Sequence, residues 1–143
     1  MTIESLSAQD TFDFGVKLGQ NAKPGTIICL DGDLGTGKTV ISKGIAKGLG
    51  IDEPVSSPTF TVVQIYTEGR LPLYHFDVYR IEDPVEMEEI GYEEYFFGDG
   101  VTVVEWSDMI AELIPAEAVK IVLKKQIERG FEFRSIEAEN LEL

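Results

Sequence analysis

Gly32, Asp33, Leu34, Gly35, Thr36, Gly37, Lys38 and Thr39 satisfy the pattern G-x-x-x-x-G-K-[ST] at every fixed position. The chemistry that needs this spacing is the capture of a polyphosphate. Several backbone N–H donors must converge on one small concave site, and glycines let the backbone approach without Cβ clashes. A helix starting at Lys38 adds its unpaired N–H groups and the positive end of its dipole. Lys38 is then placed to reach the β- and γ-phosphates and the Thr39 hydroxyl to ligate Mg²⁺, with Val40 completing the nucleotide-binding set. The octapeptide lies between an apolar β-run and a helical pattern, the context the motif requires. The expected ligand is ATP, or its product ADP, with Mg²⁺.

A hydrolytic site of this kind also needs acidic residues at strand ends near the metal. Two apolar runs end on carboxylates: Tyr74-His-Phe-Asp77 and Val101-Thr-Val-Val-Glu105. Mg²⁺ takes one or two protein oxygens beside phosphate oxygens and waters. One of Asp77 and Glu105 can therefore hold the metal while the other orients the attacking water, and the spacing leaves that choice open. Ser57-Pro-Thr-Phe60 follows the motif's helix, where a loop hydroxyl can sense the γ-phosphate, and Thr59 is the candidate. Composition alone favours the plainer reading of a Pro-set loop. His75, the sole histidine, reads as a packed, hydrogen-bonded side chain rather than a base. Cys29, the sole cysteine, reads as a small buried hydrophobe. With one of each, a histidine–cysteine metal cluster is excluded. Trp106 fits either the core or a contact role, and Arg80 either an acidic partner or a phosphate.

The elements that must position these residues can be read from turns and periodicity. Ser7 and Asp10 form the pattern of a capping box for a helix from Ala8. A buried strand is expected over 26–30 and a helix over 38–49, with Gly50 as its stop. The β-rich runs 60–66 and 71–79 predict an antiparallel hairpin across a Gly-containing link. An acidic helix over 84–90, a strand over 101–104, a helix over 107–114 and closing strands over 119–123 and 131–136 follow. The sum is one α/β domain over 1–143, a three-layer P-loop-type sandwich whose mixed sheet includes the hairpin. Hydrophobic residues make up 43% of the chain, enough for one core.

Charge limits the partners. Twenty-six acidic against 12 basic residues give a formal net charge of −14, and no Lys or Arg lies between Arg80 and Lys120. The chain lacks the basic footprint of a direct nucleic-acid binder. The acidic run reads as a solvated helix face, or more sharply as a docking surface for a basic protein. No apolar run approaches membrane-spanning length, and the start of the chain lacks a secretory pattern. The expected compartment is the cytoplasm.

Taken in order, the P-loop, Ser57-Pro-Thr-Phe60, Tyr74-His-Phe-Asp-Val-Tyr-Arg80 and Val104-Glu-Trp106 resemble the bacterial TsaE (YjeE) ATPases. Smaller echoes are Gly44-Ile-Ala-Lys-Gly-Leu-Gly50, Asp83-Pro84 with Glu86, and Gly130-Phe-Glu-Phe-Arg134, so that the likeness covers residues 5–136. The resemblance implies an ATPase of tRNA N6-threonylcarbamoyladenosine (t6A) synthesis that is weak alone, supports turnover of a TsaB–TsaD complex and meets tRNA mainly through those partners. By position it implies Lys38 as the phosphate lysine, Thr39 and Glu105 as Mg²⁺ ligands, and Asp77 as a carboxylate near the γ-phosphate. Thr59 falls in a switch-like loop, Trp106 near nucleotide and partner, and Thr11 where a threonine approaches the nucleotide. The competing readings are a nucleotide-sensing adaptor that need not hydrolyse ATP and a small-molecule kinase. The latter lacks a visible acceptor pocket or cationic lid.

Overall fold

Ile27, Ile28, Cys29 and Leu30 are apolar in succession, the signature of a strand covered on both faces. The structure is a computed structural model, and it describes residues 1–33, 35–58 and 61–141. The chain runs β1 (Thr2–Ser5), α1 (Ala8–Asn21), β2 (Ile27–Gly32), α2 (Lys38–Gly48), β3 (Val63–Tyr66) and β4 (Leu73–Asp77). It continues with α3 (Glu86–Ile90), α4 (Tyr92–Phe96), β5 (Val101–Glu105), a 3₁₀ segment (Ser107–Leu113), β6 (Val119–Lys125), a short 3₁₀ turn (Ile127–Arg129) and β7 (Arg134–Glu139). The strands form one seven-stranded sheet in the order β1-β7-β6-β2-β5-β4-β3. Its core is parallel, β6, β2, β5 and β4 running together, while β3, β7 and β1 add antiparallel edges.

Residues on β2 alternate between two cores, as the period of two requires. Ile28 and Leu30 pack with Val101, Val103, Ile121 and Leu123 beneath Leu18, Ile41 and Ile45 of the two long helices. Ile27 and Cys29 pack with Phe76 and Val104 beneath Met87, Phe96 and Ile110 on the opposite face. The expected three-layer α/β sandwich with an antiparallel hairpin is what forms. No helix among the described residues is long and apolar enough to cross a membrane.

The two long helices touch backbone to backbone. A Cβ on Gly15 would stand 2.5 Å from Ile41 O and 3.1 Å from Gly44 Cα, and one on Gly48 would collide with Val16 O. Glycines one turn apart on each helix thus create the contact. Ser7 Oγ caps α1 by accepting from Asp10 N at 3.1 Å, and the Asp10 carboxylate accepts from Leu6 N at 3.0 Å. At the end of α2, Gly50 adopts φ 84°, and Ile51 N and Gly50 N donate to Ala46 O and Lys47 O, each at 3.0 Å. This pair of bonds is a Schellman stop, and the expected end near Leu49 holds.

Other boundaries shift for local reasons. The hairpin strands are shorter than 60–66 and 71–79, with Phe60 outside the described residues. β4 ends at Asp77 because its carboxylate accepts from Tyr79 N at 3.0 Å and turns the chain. The last strand is Arg134–Glu139 rather than 131–136, since Gly130 at φ 122° and the exposed Phe131 belong to the turn. The segment after β5 is 3₁₀, with Ile110 out of helical geometry. β1 and α4 were not anticipated: Thr2-Ile-Glu-Ser5 has one apolar residue, and Gly91 at φ 76° divides one acidic stretch into two short helices.

Replacing Gly15 or Gly48 by Ala is expected to destabilise the fold by roughly 2 kcal/mol, because overpacking outweighs the ~1 kcal/mol by which helices prefer Ala. Gln20→Ala, on the exposed side of α1, should stay within about 0.5 kcal/mol of the parent. Urea unfolding of the three variants decides it; a stabilised Gly15→Ala protein would contradict the close contact.

Candidate functional site

The parallel strands end along one edge, and the site is built there. Register places Leu30 of β2 beside Glu105 of β5, and Glu105 beside Asp77 of β4. The loop leaving β2 therefore meets both carboxylates that close the neighbouring strands. A crevice at the carboxyl ends, where connections diverge from a central strand, is where open α/β sheets bind ligands.

Backbone geometry in the loop depends on its glycines at two points. Gly37 precedes α2 at φ 109°, and a Cβ on Gly32 would lie 2.5 Å from Leu123 O. Thr36 is buried and its hydroxyl donates to Asp33 O at 2.8 Å. Arg134, 98 residues further along the chain, donates from Nε to Thr36 O at 2.9 Å and from Nη2 to Gly35 O at 3.4 Å. Leu34 and Thr59 lie outside the described residues.

Lys38 is folded back onto the loop that precedes it. Its Nζ donates to Gly32 O at 2.5 Å and Asp33 O at 3.0 Å and sits 4.0 Å from the centre of the Trp106 ring. Burial pulls the ammonium below the usual lysine range, opposed by the charges of Glu105, Asp31, Asp33 and Asp77. Trp106 holds φ 62°, a left-handed conformation rare for a bulky residue, and its ring leans on Tyr79 at 4.8 Å.

Glu105 is 2% exposed. A hydrogen bond of 2.5 Å joins its Oε2 to His75 Nε2, and Ser42 Oγ and Thr39 Oγ1 approach at 3.4 and 3.5 Å. His75 is wholly buried, and its Nδ1 has no partner among the described residues. The reading of His75 as a packed, hydrogen-bonded side chain is matched, and its partner is the candidate metal ligand. Thr39 and Glu105 together present a hydroxyl and a carboxylate from opposite walls of the crevice. That hard oxygen pair suits Mg²⁺, which completes its shell with phosphate and water. Among the described residues no three His, Cys, Asp or Glu side chains form a metal cluster.

Asp77 is less enclosed. Its Oδ2 accepts from Ser57 Oγ at 2.9 Å, which ties the strand end to the loop after α2. Thr11 is buried against the motif: its methyl lies 3.6 Å from where a Cβ on Gly37 would sit, while its hydroxyl is 2.6 Å from Ser5 Oγ. Asp31 ties β2 to the segment after β5 by accepting from Ser107 Oγ at 2.5 Å; burial raises its carboxyl above the usual range. Cys29 lies in the core behind it, its thiol pushed up to about 11 mainly by burial, as an unreactive hydrophobe should be.

Sequence reasoning missed Ser42, Ser107 and Arg134. Ser42 carried a signal, since it follows Thr39 by three residues and so shares its helical face. Arg134 enters the sequence reading only as the end of the Gly130–Arg134 echo, and no local signal marks its bonds to Thr36 O and Gly35 O.

The fold and this crevice define an α/β protein of the P-loop class, with the motif between the central strand and the helix that follows it. The model of the family "Threonylcarbamoyl adenosine biosynthesis protein TsaE" matches residues 5–133. The chain belongs to the TsaE family, proteins of tRNA t6A biosynthesis. It is 55% identical over 104 residues to the tRNA threonylcarbamoyladenosine biosynthesis protein TsaE of Bacillus subtilis (strain 168), a match spanning 73% of this chain and 65% of that protein. The protein of the same name from Treponema pallidum (strain Nichols) is 44% identical over 87% of this chain and 91% of its own length. The crystal structure of YdiB from the Bacillus species superposes with a TM-score of 0.81 at 40% identity, covering 95% of this chain and 82% of that one.

His75→Ala removes the group bonded to a buried carboxyl and leaves a cavity, so it is expected to cost about 3 kcal/mol of stability. Ser42→Ala, at a longer contact, should cost about 1 kcal/mol or less. Denaturant titration of both variants tests the ranking, and equal losses would show that His75 does not hold Glu105.

Proposed function

We propose that the chain is a Mg²⁺-dependent ATPase subunit, acting as one unit, that supports turnover of a TsaB–TsaD complex in cytoplasmic t6A synthesis. The observation that carries the reading is the approach of Thr39 and Glu105 to 3.5 Å at the mouth of a complete P-loop. Backbone N–H groups from Gly32 to Val40 cradle the phosphates, Leu34 among them by its place in the motif. Lys38 exchanges two loop carbonyls and the Trp106 face for the β- and γ-oxygens. Thr39 and Glu105 hold Mg²⁺, which when bound neutralises charge on those oxygens.

Glu105 is already fixed by His75 and Ser42, which suits a ligand. Asp77 is the better orienter of water: it sits at the next strand end, and its partner Ser57 lies on the loop that also carries Thr59. Thr59 is the candidate γ-phosphate sensor by its place in the sequence, while Thr11 supports the loop at Gly37. The carboxylate accepts a hydrogen bond from the water that attacks the γ-phosphorus, and ADP and inorganic phosphate leave. The chain's −14 charge suits contact with tRNA through partners rather than directly.

The test is Mg²⁺-dependent ATP hydrolysis by the purified chain, alone and with the cognate TsaB–TsaD pair. Stimulation by the pair is expected, with a loss of about 100-fold or more in Lys38→Ala and Asp77→Asn. Glu105→Ala should bind ATP with a raised Mg²⁺ requirement. Full partner-stimulated turnover in both Asp77→Asn and Glu105→Ala would overturn the mechanism. Complete tRNA modification by an Asp77→Asn protein that binds ATP without hydrolysing it would establish the adaptor reading instead.

A further inference from the structure

Trp106 holds a conformation that its own chemistry opposes. A bulky side chain at φ 62° is an outlier, and such a residue persists only where its surroundings over-determine it. Here β2 does so through two successive residues. Leu30 O accepts from Trp106 N at 3.1 Å. The Asp31 carboxylate accepts from Ser107 Oγ at 2.5 Å and from Asp108 N at 3.4 Å. Leu30 and Asp31 thus grip Trp106, Ser107 and Asp108 in sequence. Packing alone would hold the ring less firmly, because it sits at the margin of the second core and its outer neighbour Tyr79 is 59% exposed.

The ring so held covers Lys38. In this state the ammonium has three partners, Gly32 O, Asp33 O and the Trp106 face, and a phosphate group must replace all of them. A contact that exists only in the empty state weakens binding by as much as it stabilises that state. Asp31 itself is a charge of the wrong sign for its place. It stands one residue before the phosphate loop, where a carboxylate repels the ligand. Its geometry gives it another use: both of its oxygens are turned to Ser107 and Asp108.

Resting on the reading of the P-loop as a triphosphate site, we propose that Asp31 is a positioning residue. Through Ser107 it latches Trp106 over Lys38, holds the lysine in its resting place and so sets the affinity of the loop for polyphosphate. The latch joins the strand that leads into the P-loop to the segment that leaves Glu105. It therefore acts on the phosphate end of the ligand, whatever the base.

The test is calorimetric titration of the full chain with MgATP and with magnesium tripolyphosphate, alongside the emission of Trp106, the only tryptophan. Ser107→Ala removes the latch without changing charge. It is expected to tighten both ligands about 2- to 30-fold, the span of a cation–π contact, and to red-shift the emission of the empty protein. Asp31→Ala breaks the same latch from the other strand. It should shift the emission alike and tighten both ligands further, since it also removes a negative charge beside them. In a Trp106→Leu background Ser107→Ala should bring no further tightening. Unchanged or weaker binding in Ser107→Ala, or equal tightening without the ring, would overturn the proposal. Binding by the parent and its loss in Lys38→Ala would still uphold the P-loop. If neither ligand bound the parent, the P-loop reading would fail and this one with it.

Discussion

Glu105 is a carboxyl group taken almost wholly out of water, and the crevice is arranged around the cost of putting it there. An isolated buried carboxylate is strongly disfavoured unless paired and hydrogen-bonded. Here the compensation comes from three side chains on two elements: His75 from β4, and Thr39 and Ser42 from one face of α2. Each contact crosses a boundary between strand and strand or sheet and helix. The carboxyl therefore records whether β4, β5 and α2 stand in register. His75 shows the same logic from the other end. It offers two ring nitrogens, uses one on Glu105 and leaves Nδ1 unpartnered among the described residues, a cost accepted for a single contact.

Register alone would not place α2. The helix is set against the sheet by α1, and the two approach closely because four glycines remove the side chains that would hold them apart. That closeness brings Thr11 to the backbone at Gly37, where the loop becomes the helix. α1 is in turn fixed at its start by the Ser7 cap and by Ser5, whose hydroxyl meets Thr11 at 2.6 Å. The short strand β1 is thus more than an edge. It anchors the residue against which the loop's last glycine rests.

Most of this fold could be read in advance, and the residues show why. The apolar run of β2, the glycine spacing after it and the Gly50 stop are local signals, each with one physical meaning. Asp77 and Glu105 could be nominated because each ends an apolar run, although only the parallel pairing of β4 and β5 makes them neighbours. What escaped depends on tertiary contact. β1 has too little apolar alternation to declare itself and exists because β7 offers it an edge. Gly15 and Gly19 look like weak points in a helix until Gly44 and Gly48 face them. Arg134 resembles any strand arginine, and its role follows from 98 residues of chain returning to the P-loop. The boundaries that moved are at Asp77, where a side-chain bond ends a strand before its hydrophobic pattern does, and after Gly130, where a positive φ delays the start of one.

The distribution of cations bears on how such a site is completed. Phosphoryl transfer needs positive charge beyond one lysine, because its transition state spreads negative charge over the γ-oxygens. Lys38 is at hand, and Lys125 Nζ lies 3.3 Å from where a Cβ on Gly35 would sit. Arg134 is close, yet its donors are engaged by four loop carbonyls. Arg70 is bound to carbonyls of Gly19, Gln20 and Ala22, and Arg129 to Glu4. Freeing any of these three would loosen the α1 end, the β1 edge or the P-loop itself. Three of the four arginines of this acidic protein serve as structural clamps. On the ATPase reading, the missing positive charge is then most economically supplied from outside the chain, by a partner whose basic surface meets this acidic one. The engagement of these three guanidinium groups is thus a ground, independent of family likeness, for the proposal that a partner completes the site.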